Sequence, residues 1–331
     1  MKRVDFSKCQ TLAIMPPNWL GDVVMAQPAL YACAQAASDA EIRIYGRPWL
    51  KDLLPFLNLG ERATYHASFD QPADAVMVFP NSFRSAWQSF RSATPIRIGF
   101  KKEARGFLLS HALPPQVDVM TEHHRGYFTN LVEQVGIAVP EREVAMACHV
   151  DDVTAGKALM GLHGLDFERV ICVAPGAHFG GAKRYPSESY AVILKWLAEQ
   201  GWQPLVLGTK DEREVGQACL GLLPEEAAQW NAAGETSMRE ALQLVSACRL
   251  MLCNDSGLMH VAAGMGKPTV GIFGATLPDR TAPSGPYTHV FYEPAVCSPC
   301  LQRECTTPGQ PCMGNVLPER VLAVCLKMLK P

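Results

Sequence analysis

The segment 253–264 carries the clearest chemical pattern in the chain. It reads CNDSGLMHVAAG, which is typical of a strand end, a tight turn and the start of a helix of small residues. Asp255, Ser256 and Gly257 would place a carboxylate, a hydroxyl and unpaired backbone N–H groups at that helix start, an arrangement suited to a pyrophosphate. Two other interpretations remain open: Asp255 could hold nearby backbone amides, and His260 could be a packing histidine.

A second candidate segment, residues 174–186, reads APGAHFGGAKRYP. Its glycines can present backbone N–H groups to phosphate, and Lys183 and Arg184 add positive charge. The order and spacing differ from those of the P-loop of nucleoside triphosphatases. The pattern favours a phosphate site, with a long solvated loop as the alternative.

Asp22 ends the sequence NWLGD, which follows an apolar run near the start of the chain. Gly21 before it permits a tight turn and a close backbone approach. The carboxylate could cap the helix that follows, or it could face a ligand as a general base. A single glycine at this point differs from the three-glycine fingerprint of dinucleotide-binding folds.

Two basic clusters lie in the first half of the chain. One contains Arg97, Lys101, Lys102 and Arg105, and the other is the tripeptide 123–125, His-His-Arg. Such side chains can bind the carboxylates and phosphates of an anionic acceptor. A run of charge is also consistent with an ordinary solvated face.

Buried strands, predicted from short apolar runs, are expected to position these residues. They lie at 11–15, 41–45, 73–79, 95–100, 170–175, 203–208, 249–254 and 268–274. Helices are predicted between them, with Ser187 and Ser237 as N-caps and Glu240 completing a capping box. The first helix is predicted from about Val23. This alternation predicts the α/β class with doubly wound parallel sheets.

The alternation loosens at 137–152 and then restarts, so two domains are predicted, 1–150 and 151–331. The last helix, 318–330, is placed in the second domain, with packing back on the first as an alternative. Two Rossmann-like halves suggest a cleft between them. Because ligands of such sheets bind at the carboxyl ends of strands, the candidate segments stand where ligands are expected.

Composition limits the class of protein. The 331 residues carry 30 Lys and Arg against 32 Asp and Glu, a net charge of -2, so no global attraction to nucleic acid is expected. The N-terminal residues are polar, and no apolar run approaches the roughly 18 to 20 residues of a membrane span. We therefore expect a soluble, cytoplasmic protein that could still work at the inner face of a membrane.

Four of the twelve cysteines, Cys297, Cys300, Cys305 and Cys312, fall within one short segment. Four thiolates could form a tetrahedral metal site, but only the first two have the usual two-residue spacing. Unligated thiols are the favoured interpretation, and no metal site is predicted. Most of the other cysteines lie in apolar runs and are expected in the core.

These motifs together resemble the ADP-heptose:lipopolysaccharide heptosyltransferases. The resemblance rests on NWLGDVVMAQPAL, PGAHFGGAKRYP, NAAGETSMREAL and NDSGLMHVAAGMGKPTVGIFGAT, in that order. The segment CSPCLQREC adds a likeness to the heptosyltransferase II type. The likeness runs over almost the whole chain and is least distinctive between about 60 and 150.

The resemblance implies a GT-B fold of two facing Rossmann-like domains and an inverting glycosyl transfer without an obligate metal or other cofactor. The first domain would bind the lipid-linked acceptor, and the second would bind the nucleotide sugar. Asp22 would be the catalytic base, and Lys183 would stabilise the departing diphosphate. The remaining donor residues it implies are Gly176, Ala177, His178, Glu212, Asp255, Ser256, Gly257, Met259 and His260.

The expected partners are ADP-L-glycero-D-manno-heptose and the lipid A-linked core oligosaccharide, with transient contact to the membrane surface. Gly21, Lys101, Lys102 and Arg105 are expected on the acceptor side. Two alternatives stay open at this point: a GT-B enzyme that uses a different nucleotide sugar, and a non-catalytic protein that binds a nucleotide sugar.

Overall fold

The computed structural model describes residues 3–330, which form two compact units that divide between Ala147 and Cys148. The division falls a few residues before the boundary that the sequence predicts. Each unit has its own parallel sheet and its own hydrophobic core. The units are therefore described separately.

The first unit contains a six-stranded sheet in the order β3-β2-β1-β4-β5-β6, in which every neighbouring pair is parallel. Its strands are β1 (Thr11–Met15), β2 (Glu41–Tyr45), β3 (Ala63–His66), β4 (Ala75–Val78), β5 (Ile96–Phe100) and β6 (His111–Leu113). Its helices are α1 (Leu20–Ala36), α2 (Leu50–Leu53), α3 (Phe83–Arg91) and α4 (His124–Glu133).

The second unit repeats this topology with the sheet order β12-β11-β10-β7-β8-β9, again parallel throughout. Its strands are β7 (Val170–Ala174), β8 (Gln203–Val206), β9 (Trp230–Asn231), β10 (Leu250–Asn254), β11 (Thr269–Phe273) and β12 (Thr288–Tyr292). Its helices are α5 (Val150–Leu162), α6 (Ser187–Glu199), α7 (Arg213–Leu220), α8 (Met238–Ala247), α9 (Gly257–Gly264), α10 (Pro278–Thr281), α11 (Pro311–Gly314) and α12 (Pro318–Leu329).

In both units the first strand lies at the centre, beside the second strand on one side and the fourth on the other. Chain connections leave these central pairs in opposite directions, which opens a ligand-binding crevice at their carboxyl ends. The central pairs are β1 with β4 and β7 with β10. The loops after β7 and β10 are the two segments with phosphate-binding patterns.

The structure contains all eight strands that the sequence predicts. It also contains four edge strands that the sequence does not predict, β3, β6, β9 and β12. The reason is burial, because β4, β7, β10 and β11 are buried at every residue, whereas β3, β6 and β12 are mostly half-buried. Edge strands therefore lack the continuous apolar run that identifies a central parallel strand.

Two expectations about helices are corrected. Helix α1 begins at Leu20, so it includes Asp22 in its first turn. Ser187 does not cap α6, because Pro186 takes the cap position without a side-chain bond. The terminal helix α12 packs against α6, β10 and β11 of the second unit. Within residues 3–330, no helix is long and apolar enough to cross a membrane.

Candidate active site

Lys183 and Asp255 meet at the carboxyl ends of β7 and β10. Lys183 Nζ donates a hydrogen bond to Asp255 Oδ2 over 2.5 Å, and both side chains are largely buried, with exposed fractions of 13% and 5%. Thr276, in the loop after β11, donates its hydroxyl to the same oxygen over 2.7 Å. Three consecutive strands of the sheet thus contribute to one ion-paired cluster.

Asn254 holds the two loops together beneath this cluster. Its amide group donates to the carbonyls of Pro175 and Gly176, at 2.6 and 3.3 Å. Its Oδ1 accepts the backbone N–H of Tyr185 and the hydroxyl of Tyr190, at 3.1 and 2.9 Å. Since Asn254 is fully buried, these bonds fix the distance between the β7 loop and the β10 loop.

The short turn that carries Lys183 is held by the segment that contains the four clustered cysteines, residues 297–312. The carbonyl of Arg303 accepts the N–H of Ala182 at 2.9 Å, and Gln310 Nε2 donates to the carbonyl of Ala182 at 2.9 Å. Phe179 lies between two cations, with its ring centre 5.0 Å from Lys183 Nζ and 5.6 Å from the Arg303 guanidinium. The cysteine segment therefore positions the lysine.

The start of α9 faces this cluster through Ser256 and Gly257. Ser256 occupies the cap position without making a side-chain cap bond, and its buried hydroxyl has no hydrogen-bond partner within residues 3–330. The first-turn N–H groups of a helix also lack partners inside the helix. Together they form a set of donors suited to an anionic group.

The other two predicted residues of α9 are buried. His260 has an exposed fraction of 4% and Met259 one of 0%. The Met259 thioether packs over Gly271 of β11, where a Cβ would come within 2.8 Å of the sulfur. The Met259 side chain thus lies in the core of this unit, and its role in donor binding stays a prediction.

Glu212 lies directly against the β7 loop. A Cβ at Gly176 would lie 2.0 Å from Glu212 Oε1, so only glycine leaves room for the carboxylate. Glu212 Oε2 accepts the backbone N–H and the hydroxyl of Thr209, at 2.8 and 3.0 Å, which completes a capping box. Ala177 is buried beside this loop, and His178 is exposed. Their contacts with a nucleotide stay predictions.

In the first unit, Asp22 stands in the first turn of α1, and Trp19 occupies the cap position. The simple capping interpretation of Asp22 is therefore wrong. Its Oδ1 lies 3.4 Å from Nδ1 of His124, the first residue of α4, and each side chain is 29% exposed. A half-exposed carboxylate at a helix N-terminus, beside an imidazole, can accept a proton from a bound hydroxyl.

Arg105 is corrected from an acceptor ligand to a structural residue, because it is fully buried. Its guanidinium donates to the carbonyls of Pro80, Ser82 and Phe100 and to the Ser85 hydroxyl. Burial lowers the pKa of Arg105 to about 10, which still leaves the group charged at neutral pH. A ligand cannot reach it without unfolding this loop.

Lys101 and Lys102 remain accessible. They line a cavity of about 540 Å³ together with Phe107, and Lys101 is exposed. The Lys102 ammonium lies 5.6 Å from the centre of the Tyr127 ring. These two lysines stay candidates for acceptor binding.

All twelve cysteines lie within residues 3–330 as free thiols. In the same range, no three His, Cys, Asp or Glu side chains come together in a geometry that could hold a metal ion. The Cys305 thiol instead donates to the Thr307 carbonyl at 3.4 Å.

Comparison with known proteins decides the family. Residues 67–310 match the model of glycosyltransferase family 9 (heptosyltransferase). Lipopolysaccharide heptosyltransferase 2 of Salmonella typhimurium is 32% identical over 300 residues, covering 82% of this chain and 85% of that protein. The corresponding Escherichia coli K12 protein is 30% identical over 307 residues, with the same coverage.

The chain belongs to glycosyltransferase family 9.

Solved structures agree with the assignment of this glycosyltransferase to family 9. The structure of E. coli ADP-heptose lps heptosyltransferase II aligns with a TM-score of 0.80 and 27% identity, over 96% of this chain and 98% of that one. A family 9 glycosyl transferase from Veillonella parvula aligns with a TM-score of 0.82 over 99% of both chains, at 16% identity. The fold is therefore of the GT-B type that the sequence resemblance implied.

Sequence reasoning missed several residues of this glycosyltransferase site. Asn254 is the last residue of β10, and Thr276 follows β11. The other candidates were chosen at strand ends, so the same signal was available for these two residues. No local sequence signal predicts the contact between Asp22 and His124, because the two residues lie about a hundred positions apart in the chain. The family match begins at residue 67, so the role of Asp22 depends on its own geometry.

Proposed function

We propose that this glycosyltransferase transfers heptose from ADP-L-glycero-D-manno-heptose to the inner core of lipopolysaccharide, with inversion at the anomeric carbon. The observation that carries the proposal is the Lys183–Asp255–Thr276 cluster beside the start of α9. The names of the relatives, and a solved structure of E. coli heptosyltransferase WaaC with ADP, support the choice of donor.

The second unit would bind the donor diphosphate. The first-turn N–H groups of α9 and the Ser256 hydroxyl would donate to the phosphate oxygens. Lys183, oriented by Asp255, would stabilise the charge that develops as the C1–oxygen bond breaks and its electron pair leaves with ADP. Because these donors are fixed before the reaction, little reorganisation is needed when charge develops. The same reasoning supports transfer without a divalent metal, which remains part of the proposal.

The first unit would supply the base. As the acceptor oxygen forms its bond to the anomeric carbon, its proton would pass to the Asp22 carboxylate. His124, 3.4 Å away, would hold that carboxylate in place. Lys101, Lys102 and the backbone at Gly21 would contact the anionic core oligosaccharide.

The acceptor is linked to lipid A, so the enzyme would work at the inner face of the cytoplasmic membrane as a peripheral protein. This placement is part of the proposal. It is supported by the nature of the relatives' acceptor and by the basic surface of the first unit.

Substitution of the base tests the proposal. Asp22→Asn is expected to lower kcat at least about 100-fold with ADP-heptose and a core acceptor, because a general base contributes roughly that much or more. Asp39→Asn is the matched control, since Asp39 is exposed just beyond α1. Product is measured as acceptor mass and as released ADP.

Two results would contradict the proposal. Equal turnover by wild type and Asp22→Asn would remove Asp22 as the base. Turnover of a UDP-sugar in place of ADP-heptose would assign the protein to a GT-B enzyme with a different donor.

A further inference from the structure

Four aromatic side chains form a continuous exposed row on the first unit, here called the aromatic ridge. Phe83, Trp87 and Phe90 of α3 are 46%, 44% and 45% exposed, and Phe107 in the loop after β5 is 75% exposed. The ring centres of Phe83 and Trp87 are 6.5 Å apart, and those of Trp87 and Phe90 are 5.9 Å apart. Phe107 extends the row, 6.2 Å from Phe83.

Helix α3 reverses the usual orientation of an amphipathic helix. Its buried side consists of Ser85, Ala86 and Ser89, while its largest apolar groups face outward. The buried hydroxyls donate to backbone carbonyls of the same segment, Ser85 to Ser82 at 2.8 Å and Ser89 to Ala86 at 2.7 Å. Soluble proteins rarely expose a contiguous apolar patch without an interaction partner. The ridge therefore marks a binding surface.

Arg105 makes this surface rigid. Its buried guanidinium donates to the Ser82 carbonyl and the Ser85 hydroxyl at the start of α3, at 3.1 and 3.0 Å. It also donates to the Phe100 carbonyl at 3.1 Å, at the end of β5. The loop that carries Phe107 is thereby fixed against the helix that carries the rest of the ridge.

The charge around the ridge is strongly positive. Besides the buried Arg105, residues 82–107 contain five Lys or Arg and one acidic residue, whereas the whole chain has a net charge of -2. Arg84 and Arg91 are exposed on α3 itself, and the Arg97 guanidinium stacks 5.4 Å from the centre of the Phe90 ring. Aromatic rings with flanking basic side chains are the combination that resides at lipid headgroups of anionic bilayers.

We propose that the aromatic ridge is the membrane-docking surface of this enzyme. Its rings would enter the headgroup layer of an anionic bilayer, and Arg84 and Arg91 would contact lipid phosphates. The reason for docking rests on the proposed function, which needs a lipid-linked acceptor. Lipid binding itself can be measured without the transfer reaction.

Vesicle sedimentation tests the proposal directly. The full chain is mixed with vesicles of phosphatidylcholine alone, or of phosphatidylcholine with one third phosphatidylglycerol. We expect binding to the anionic vesicles, weakened by added salt because surface charges are screened. The double variant Phe83→Ser/Trp87→Ser is expected to lower the partition coefficient at least about tenfold. Its matched control, Val150→Ser/Leu162→Ser, changes side chains of α5 that are 79% and 81% exposed and should stay within about twofold.

The charged residues are tested in the same way. Arg84→Gln/Arg91→Gln is expected to weaken binding to anionic vesicles at least about tenfold, since each basic residue near the surface contributes to the attraction. Lys195→Gln/Lys330→Gln removes two exposed charges of the second unit and should have little effect. Thermal denaturation of each variant checks that folding is unchanged.

Activity separates this inference from the proposed function. The Phe83→Ser/Trp87→Ser variant should transfer heptose normally to a water-soluble core oligosaccharide and several-fold more slowly to an acceptor embedded in vesicles. If the wild type binds vesicles but transfers no heptose, the proposed function is overturned and the role of the ridge in membrane docking is supported.

Two results would overturn the docking surface. One is equal binding of the wild type and the ridge variant to anionic vesicles. The other is a wild type that sediments as a dimer and a ridge variant that sediments as a monomer, while both bind vesicles equally. That result would assign the ridge to contact between two copies of the chain.

Discussion

At the scale of single residues, Asp255 Oδ2 is the central atom of the ion-paired cluster that also contains Lys183 and Thr276. It accepts hydrogen bonds from both Lys183 and Thr276 and is almost fully buried. Charge-assisted hydrogen bonds in a buried site are strong and directional. Asp255 therefore determines where the lysine ammonium stands, and Thr276 determines where Asp255 stands.

The variant Thr276→Val tests whether the Thr276 hydroxyl orients Asp255 and, through it, Lys183. Loss of the hydroxyl bond leaves Asp255 with one of its two donors, and a bond to a charged group is worth about 1.5 kcal/mol or more, so kcat should fall roughly tenfold. Thr276→Ser keeps the hydroxyl and should retain most of the activity. Steady-state kinetics with varied ADP-heptose would measure both variants. Equal loss in the valine and serine variants would show that the methyl group, and not the hydrogen bond, matters.

At the scale of secondary-structure elements, the two helices that the sequence expects to be capped by serine differ. Ser237 accepts the N–H of Glu240 at 3.2 Å, and Glu240 accepts the N–H of Ser237 at 2.7 Å, so α8 has a complete capping box. Ser187 instead lies inside α6, behind Pro186. Identical residue types at two helix starts thus make different contributions to stability.

Ser237→Ala is expected to destabilise the second unit by about 1 kcal/mol, which lowers its melting temperature by roughly 2–4 °C. Ser187→Ala, the matched control, should change stability by less than about 0.5 kcal/mol. Thermal denaturation followed by circular dichroism would compare them. A similar loss in both variants would contradict the assigned cap.

The capping box also predicts a pH dependence. The hydrogen bond from the Ser237 backbone lowers the pKa of Glu240 below its usual value of 4.5. A carboxyl group with a lowered folded-state pKa stabilises the fold above its unfolded pKa and loses that contribution as pH falls through the folded value. The stability difference between wild type and Glu240→Ala should therefore shrink below pH 4.5. A difference that is constant from pH 7 to pH 3 would contradict this.

At the scale of the whole molecule, the chain consists of two units of the same topology with different surfaces. The second unit carries the Lys183–Asp255–Thr276 cluster at the carboxyl ends of its central strands. The first carries Asp22 at its own central pair and the aromatic ridge on α3. The two units therefore divide donor binding from acceptor and membrane binding in the proposed function.

This division predicts where ADP should protect the chain. A ligand that binds only the native state slows local and global opening of the unit that holds it. ADP at saturation should slow hydrogen exchange in residues 174–186 and 254–264, and Lys183→Met should reduce that protection. Hydrogen-exchange mass spectrometry measures both. Protection confined to α1 and α4 would place the nucleotide on the first unit and contradict the assignment.

Much of the fold could be predicted because buried parallel strands and glycine-rich turns leave local signals. Residues 170–175 and 249–254 are continuous apolar runs, and the motifs after them contain Lys183 and Asp255. The edge strands could not be found in this way, since their half-buried residues show no continuous apolar run. Contacts between distant segments, such as Asn254 with Tyr190, also have no local pattern.

The sequence by itself determined the α/β class, the division into two Rossmann-like domains, the family and the motifs in the loops after β7 and β10, because each depends on hydrophobic pattern or on short motifs. Only the tertiary structure decided the burial of particular side chains. It turned Arg105 from an acceptor ligand into an internal support, placed Met259 in the core and paired Asp22 with His124. The physical reason is that burial and pairing depend on which surfaces the packed sheet and helices cover, and no short stretch of sequence contains that information.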